Sequence, residues 1–158
     1  MLTARTKRFA SLLQNQFFNG EVEKTYLAKI LGHPKEDEFR CDLRISEDTV
    51  GVGARTACEN GKEALTIFKV LRRNADGTSL VEAKPITGRT NQIRIHLWEL
   101  GFPIVGDPLY LPDRKLGTIQ TGTPDDSPLC LHAKGIAFHH PVTKAYMRFE
   151  GSNPNWAA

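Results

Sequence analysis

Lys84-Pro85-Ile86-Thr87-Gly88-Arg89-Thr90-Asn91-Gln92-Ile93-Arg94-Ile95-His96-Leu97 is the densest stretch of the chain, and the fold is read outward from it. Pro85 has no amide to donate and ends a strand. Gly88 supplies a turn. A helix is predicted from Thr90 to Leu100, with Ile93, Leu97 and Leu100 on one face and Gly101 as its stop. A strand that runs through a glycine turn into a helix leaves backbone N–H groups beside Arg89, an arrangement that would hold a phosphate or carboxylate. Arg94 follows Ile93 by one residue, so it points about 100° away from the core face, toward the edge of a cleft. His96 falls on the Ile93/Leu97 side and reads as a histidine at the edge of the core.

On the N-terminal side, Thr78 to Lys84 and Ala64 to Arg73 read as strands joined by the turn Asn74-Ala75-Asp76-Gly77. Residues 47–62 are polar and read as a loop. From Phe39 to Ser46 the chain alternates, with Phe39, Cys41, Leu43 and Ile45 facing one way, as in a half-buried strand. Glu23 to Leu31 is a further strand, closed by Gly32-His33-Pro34. Residues 4–18 read as a helix, with Phe9, Leu12, Leu13 and Phe17 at helical spacing and Asn19-Gly20 as the stop. On the C-terminal side, residues 111–128 form a surface loop by composition. A hairpin pairs Gly135–His139 with Ala145–Glu150. The order implies one α+β domain over residues 1–158: a mixed, mainly antiparallel sheet with a few flanking helices.

Composition limits the function. At 158 residues, 25% charged and 40% apolar, the chain can bury the core of one globular domain. Its apolar runs are too short for a transmembrane helix, and Met1 to Lys7 does not read as a signal peptide. Cys41, Cys58 and Cys130 are odd in number and far apart, which implies reduced thiols and a cytoplasmic protein. His132, His139 and His140 match no standard metal spacing, so no metal is expected. Net charge is +3, but Lys62, Lys69, Arg72, Arg73, Lys84, Arg89 and Arg94 stand against only Glu63, Asp76 and Glu82 in one window. That local basic bias fits a polyanion such as RNA.

Lys84 to His96 closely resembles the signature of RluA-type RNA pseudouridine synthases. Three further segments resemble that family in the same order. Glu23-Lys24-Thr25-Tyr26-Leu27-Ala28 is similar to its tyrosine-bearing strand, and Gly101 to Tyr110 to its next segment. Leu129-Cys130-Leu131-His132-Ala133 with His140-Pro141 is similar to its closing motif. The resemblance implies a pseudouridine synthase-like fold. It also implies uridine-to-pseudouridine isomerisation in structured RNA (rRNA or tRNA), without metal or cofactor; a monomer is expected. By resemblance Tyr26 stacks on the flipped base, Leu131 makes the apolar contact beneath it, and Arg94 keeps the nucleophilic aspartate ionised. Lys84, Arg89, Asn91 and Gln92 are expected to bind RNA.

Two departures follow. Asn91 stands where the family usually has histidine. The family's His-Arg-Leu-Asp and Thr-Ser-Gly motif, expected just ahead of a segment like Leu2 to Lys7, is absent from the sequence. The chain is therefore expected to be a truncated, partial catalytic domain, inactive alone, whose Arg94 is an uncompensated cation. The alternative is a non-catalytic RNA-binding remnant. Asp107, in a Gly-Asp-Pro turn, reads as a local hydrogen-bonding residue and not a replacement nucleophile.

Overall fold

The computed structural model describes residues 4, 6–123 and 125–158; the sequence readings that rest on Met1 to Thr3 and on Arg5 lie outside them. The first helix, α1, spans Lys7–Phe18. Thr6 caps it by accepting from the Phe9 amide, and Gly20, in the left-handed region, follows the last turn. The expected apolar stripe is only partly covered, and Phe17 is 43% exposed. What docks α1 is its buried Gln16, whose amide exchanges two hydrogen bonds with the backbone of His139, at 2.8 and 3.1 Å.

The strands are β1 (Glu23–Leu31), β2 (Glu38–Cys41), β3 (Thr66–Arg73) and β4 (Thr78–Pro85), followed by helix α2 (Gln92–Glu99). After them come β5 (Tyr110–Leu111), β6 (Lys115–Leu116), β7 (Leu131–His139) and β8 (Tyr146–Glu150). Six strands form one sheet in the order β2-β3-β4-β1-β7-β8, and every described pairing is antiparallel, so the α+β class holds without the parallel component a mixed sheet would have. The β3–β4 turn is built as its composition predicts. Asp76 accepts from the Thr78 hydroxyl and amide and pairs with Lys29 of β1 at 3.1 Å; the Thr78 hydroxyl first, and Lys29 after it, lower the Asp76 pKa to about 2.

Expectation and structure part in three places. The strand predicted over residues 39–46 stops at Cys41. Leu43 is 41% exposed, and Ile45 bridges Ala57 and Lys62 instead of extending the sheet. The loop 111–128 opens with the small β5–β6 hairpin. Strand β7 starts at Leu131, four residues earlier than its alternation suggested, because it carries a bulge. Thr25 pairs with Gly135 and Tyr26 with Ala133, which leaves Lys134 as the extra residue.

The core lies on one face of the sheet. Ala28, Ile30, Phe68, Val81 and Ala83 pack against Ile93 and Leu97 of α2. The other side of α2 is buried too, with Ile95 and Trp98 meeting Ile45, Ala54, Leu109 and Tyr110. The helix is therefore a filling between sheet and loops rather than a surface helix with one apolar stripe, and Leu100, expected in that stripe, is 36% exposed.

Candidate active site

Register decides what shares a face. Tyr26 and Ala28 of β1 pair with Ala133 and Leu131 of β7, so Tyr26 and Leu131 project on the same side, the side α2 covers. The cover ends at the start of α2, and a cleft of about 400 Å³ opens there. It is lined by Phe17, Lys24, Tyr26, Arg89, Asn91, Arg94 and Leu131, among others. Tyr26, Arg94 and Leu131, from β1, α2 and β7, are thus brought together, as are three of the four residues expected to bind RNA. Lys84 is the exception: it is exposed, paired with Glu82 at 3.1 Å, and lines a neighbouring hollow of about 230 Å³.

The turn leading into α2 is held by Gln92, which corrects its expected role. Gln92 is 4% exposed. Its carbonyl oxygen accepts from the Thr87 hydroxyl at 2.6 Å and the Arg89 amide at 3.0 Å. Its NH₂ donates to Leu65 O and Thr66 Oγ1, both at 3.0 Å. With its donors and acceptor used internally, Gln92 clasps the 87–89 turn to β3 and offers nothing to RNA. Two amides at this end are used within the protein as well, since Arg89 N donates to Gln92 Oε1 and Gln92 N to Arg89 O.

The clasp continues inward. Thr66 Oγ1 stands 2.9 Å from His96 Nδ1, and His96 Nε2 stands 3.0 Å from Leu43 O. A carbonyl can only accept, so the network assigns the proton to Nε2 and lets the Thr66 hydroxyl donate to Nδ1. His96 is fully buried rather than at the core's edge, and burial holds its pKa below the usual imidazole range.

Arg94 is not an uncompensated cation. Its Nε and Nη2 grip both oxygens of Asp107 at 2.7 and 2.6 Å, and its Nη1 donates to Asn91 Oδ1 at 3.2 Å. The ring of Tyr110 lies 5.0 Å from the guanidinium carbon. The side chains are 12% exposed for Arg94 and 1% for Asp107, a desolvated two-pronged pair. Asp107 also does the local work read from its turn: Oδ1 accepts from the Leu109 and Tyr110 amides at 2.9 and 3.0 Å. Asn91 holds φ at 56°, a conformation that asparagine tolerates better than most residues.

Pairing also reduces the basic window. Lys62, Lys69, Arg73, Lys84 and Arg94 each meet a carboxylate, so most of that charge excess is answered within the protein. Among the described residues no group of three or more His, Cys, Asp or Glu side chains is placed to hold a metal ion.

The sequence matches the RNA pseudouridylate synthase family over residues 1–99. The chain belongs to this family. Family members similar to it include the dual-specificity RNA pseudouridine synthase RluA of Pasteurella multocida (strain Pm70), 39% identical over 87% of this chain and 60% of the relative. The RluA of Yersinia pestis is 36% identical over 95% of the chain and 70% of the relative. The uncharacterized RNA pseudouridine synthase YlyB of Bacillus subtilis (strain 168) is 36% identical over 98% of the chain and 48% of the relative. The chain thus spans between about half and 70% of these relatives' lengths. Among solved structures, Human RNA Pseudouridylate Synthase Domain Containing 1 superposes with a TM-score of 0.77 at 28% identity, covering 96% of this chain and 62% of that one. Human RNA Pseudouridylate Synthase Domain Containing 4 does so with a TM-score of 0.74 at 25% identity, over 96% and 66%. Both fit the pseudouridine synthase-like α+β fold.

Two lining residues escaped the sequence reading. Phe17 reads from the sequence only as one of the helically spaced apolar residues of the first helix. Lys24 sits two residues before Tyr26 on one strand face, a spacing that would have pointed to it.

Proposed function

We propose that this chain carries the base-holding part of an RNA pseudouridine synthase site, acting on uridines of structured RNA (rRNA or tRNA) in the cytoplasm as a monomer. The observation that supports it best is that Tyr26, Arg94 and Leu131, distant in sequence, line one cleft. In this reading the uridine leaves its stack at a cost of about a few kcal/mol and enters the cleft. The Tyr26 ring covers one face of the uracil, and its hydroxyl is within range of proton traffic on the base. Leu131 supplies an apolar wall on the opposite side. Arg89 and Asn91 lie at the rim, where the RNA backbone passes. No cofactor or metal is needed, since the reaction breaks an N-glycosidic bond and rejoins the same uracil through carbon.

Arg94 is the residue that would keep a nucleophilic carboxylate ionised. Guanidinium has five N–H donors; Asp107 takes two and Asn91 one, which leaves two for a further carboxylate. Asp107 holds Arg94 and two backbone amides at once, so it is built in as the arginine's support, not as the nucleophile. The sequence contains no His-Arg-Leu-Asp run to supply that group. By itself the chain is therefore expected to make no pseudouridine.

The assay is tritium release from 5-tritiated uridine in bulk cellular RNA. It compares this chain with one joined behind a His-Arg-Leu-Asp-bearing segment of a relative. The joined protein should release tritium, and Tyr26→Ala or Arg94→Ala in it should abolish the release. Activity in the 158-residue chain itself, or full activity in Arg94→Ala, would overturn these assignments. RNA binding without turnover in the joined protein would favour a non-catalytic binding module.

A further inference from the structure

Lys24 differs from the other cations of this surface. It is half-buried, and its Nζ donates to Thr87 O at 3.0 Å. Among the described residues no carboxylate pairs with it. The nearby acids are occupied elsewhere: Glu23 accepts from the Tyr146 hydroxyl and Glu150 is paired with Arg148. An ammonium has three N–H donors, so two point away from the protein's own acceptor. Burial lowers its pKa, as expected of a charge moved out of water without an anion to compensate.

Its location is equally specific. Lys24 lines the cleft of about 400 Å³ and also the flanking hollows of about 230 and 660 Å³. Tyr26, which also lines the cleft and the larger hollow, stands two residues further along β1. Along β1 the two residues are about 6.8 Å apart on one face, a span that fits one nucleoside between its phosphate and its base. Arg94, by contrast, is held by Asp107, and Arg89, at the exposed rim, donates to the Glu63 carbonyl.

We propose that Lys24 is the phosphate anchor of the cleft: its ammonium takes the phosphodiester adjoining the flipped uridine, while Tyr26 takes the base. The inference rests on the RNA reading above and adds a residue and a ligand atom to it. It also accounts for an ammonium with no carboxylate partner in a half-buried place, because the compensating anion is on the substrate.

The test is a titration of the chain against a labelled, uridine-containing RNA hairpin over a range of KCl concentrations. Lys24→Gln keeps a donor for Thr87 O and removes the charge. It should weaken binding about tenfold at low salt. It should also flatten the slope of log affinity against log salt by about 0.7 to 0.9, the value of one phosphate contact. Lys24→Arg should keep both the affinity and the slope. If Lys24→Gln lowers affinity but leaves the slope unchanged, the residue only braces the turn, and the anchor is wrong. If the unmodified chain binds the hairpin without salt dependence or not at all, the RNA reading fails, and the anchor with it.

Discussion

Asp107→Asn isolates the charge that compensates Arg94. The substitution is isosteric and keeps an oxygen for the Leu109 and Tyr110 amides, so the local turn survives. It leaves a guanidinium that is 12% exposed without its carboxylate. Breaking a buried pair from one side costs about 3–5 kcal/mol. The lower end applies here, because Arg94 retains Asn91, the Tyr110 face and a neutral oxygen, so a loss of about 3 kcal/mol is expected. For a domain of this size that lowers the thermal midpoint by roughly 6–12 °C. Asp107→Ala also strands two amides, at about 1–3 kcal/mol each. Its total loss approaches the whole stability of a marginal domain, about 5–15 kcal/mol, and little folded protein should be recovered. Urea unfolding followed by far-UV circular dichroism measures the first, and soluble yield the second. An Asp107→Asn loss below about 1 kcal/mol would show that the pair behaves like a surface ion pair and that Arg94 is already solvated.

Two further predictions concern the clasp beneath the cleft. Burial lowers the His96 pKa in the folded state, so below the unfolded value of about 6.5 the unfolded chain binds the extra proton and stability falls with falling pH. His96→Gln should flatten that decline in urea midpoints taken across this range; an unchanged decline would remove His96 as its cause. Gln92→Glu puts a carboxylate against Leu65 O and Thr66 Oγ1 and loses both donated bonds, so it should cost about 3 kcal/mol in urea unfolding. Unaltered stability would return Gln92 to the set of RNA contacts.

The parts of the fold legible in the sequence were those where local signals agree with tertiary context. The limits of β1 coincide with its reading because Asn19-Gly20 before it and Gly32-His33-Pro34 after it punctuate an uninterrupted strand. The alternation after Phe39 misled because the chain leaves the sheet at Cys41. The Leu43 carbonyl is then claimed by His96, 53 residues away, and Ile45 is buried under α2 instead of beside Cys41. In β7 the bulge at Lys134 shifts the period-2 phase, so Leu131 and Ala133 fall out of step with Ile136 and Phe138 and the strand looked shorter than it is. The cleft residues Tyr26, Arg94 and Leu131 were found through motifs. The partner of Arg94 was not, because an ion pair across a turn leaves no periodic trace. Nothing in the sequence separates Lys24 from the other polar residues of β1; its lack of a carboxylate partner among the described residues exists only in three dimensions.

Because α2 is filled in on both sides, anyone seeking to retune this cleft by mutagenesis has few positions to work with. Ile93, Ile95, His96, Leu97 and Trp98 are committed to packing and Gln92 to the turn, so a library spread along the helix would return mostly unfolded variants. Asn91 and Arg94 are the helix positions that face the opening, and Arg94 is tied to Asp107. Productive diversity belongs instead on Phe17, Lys24 and Arg89, whose side chains border the opening from outside the packed core.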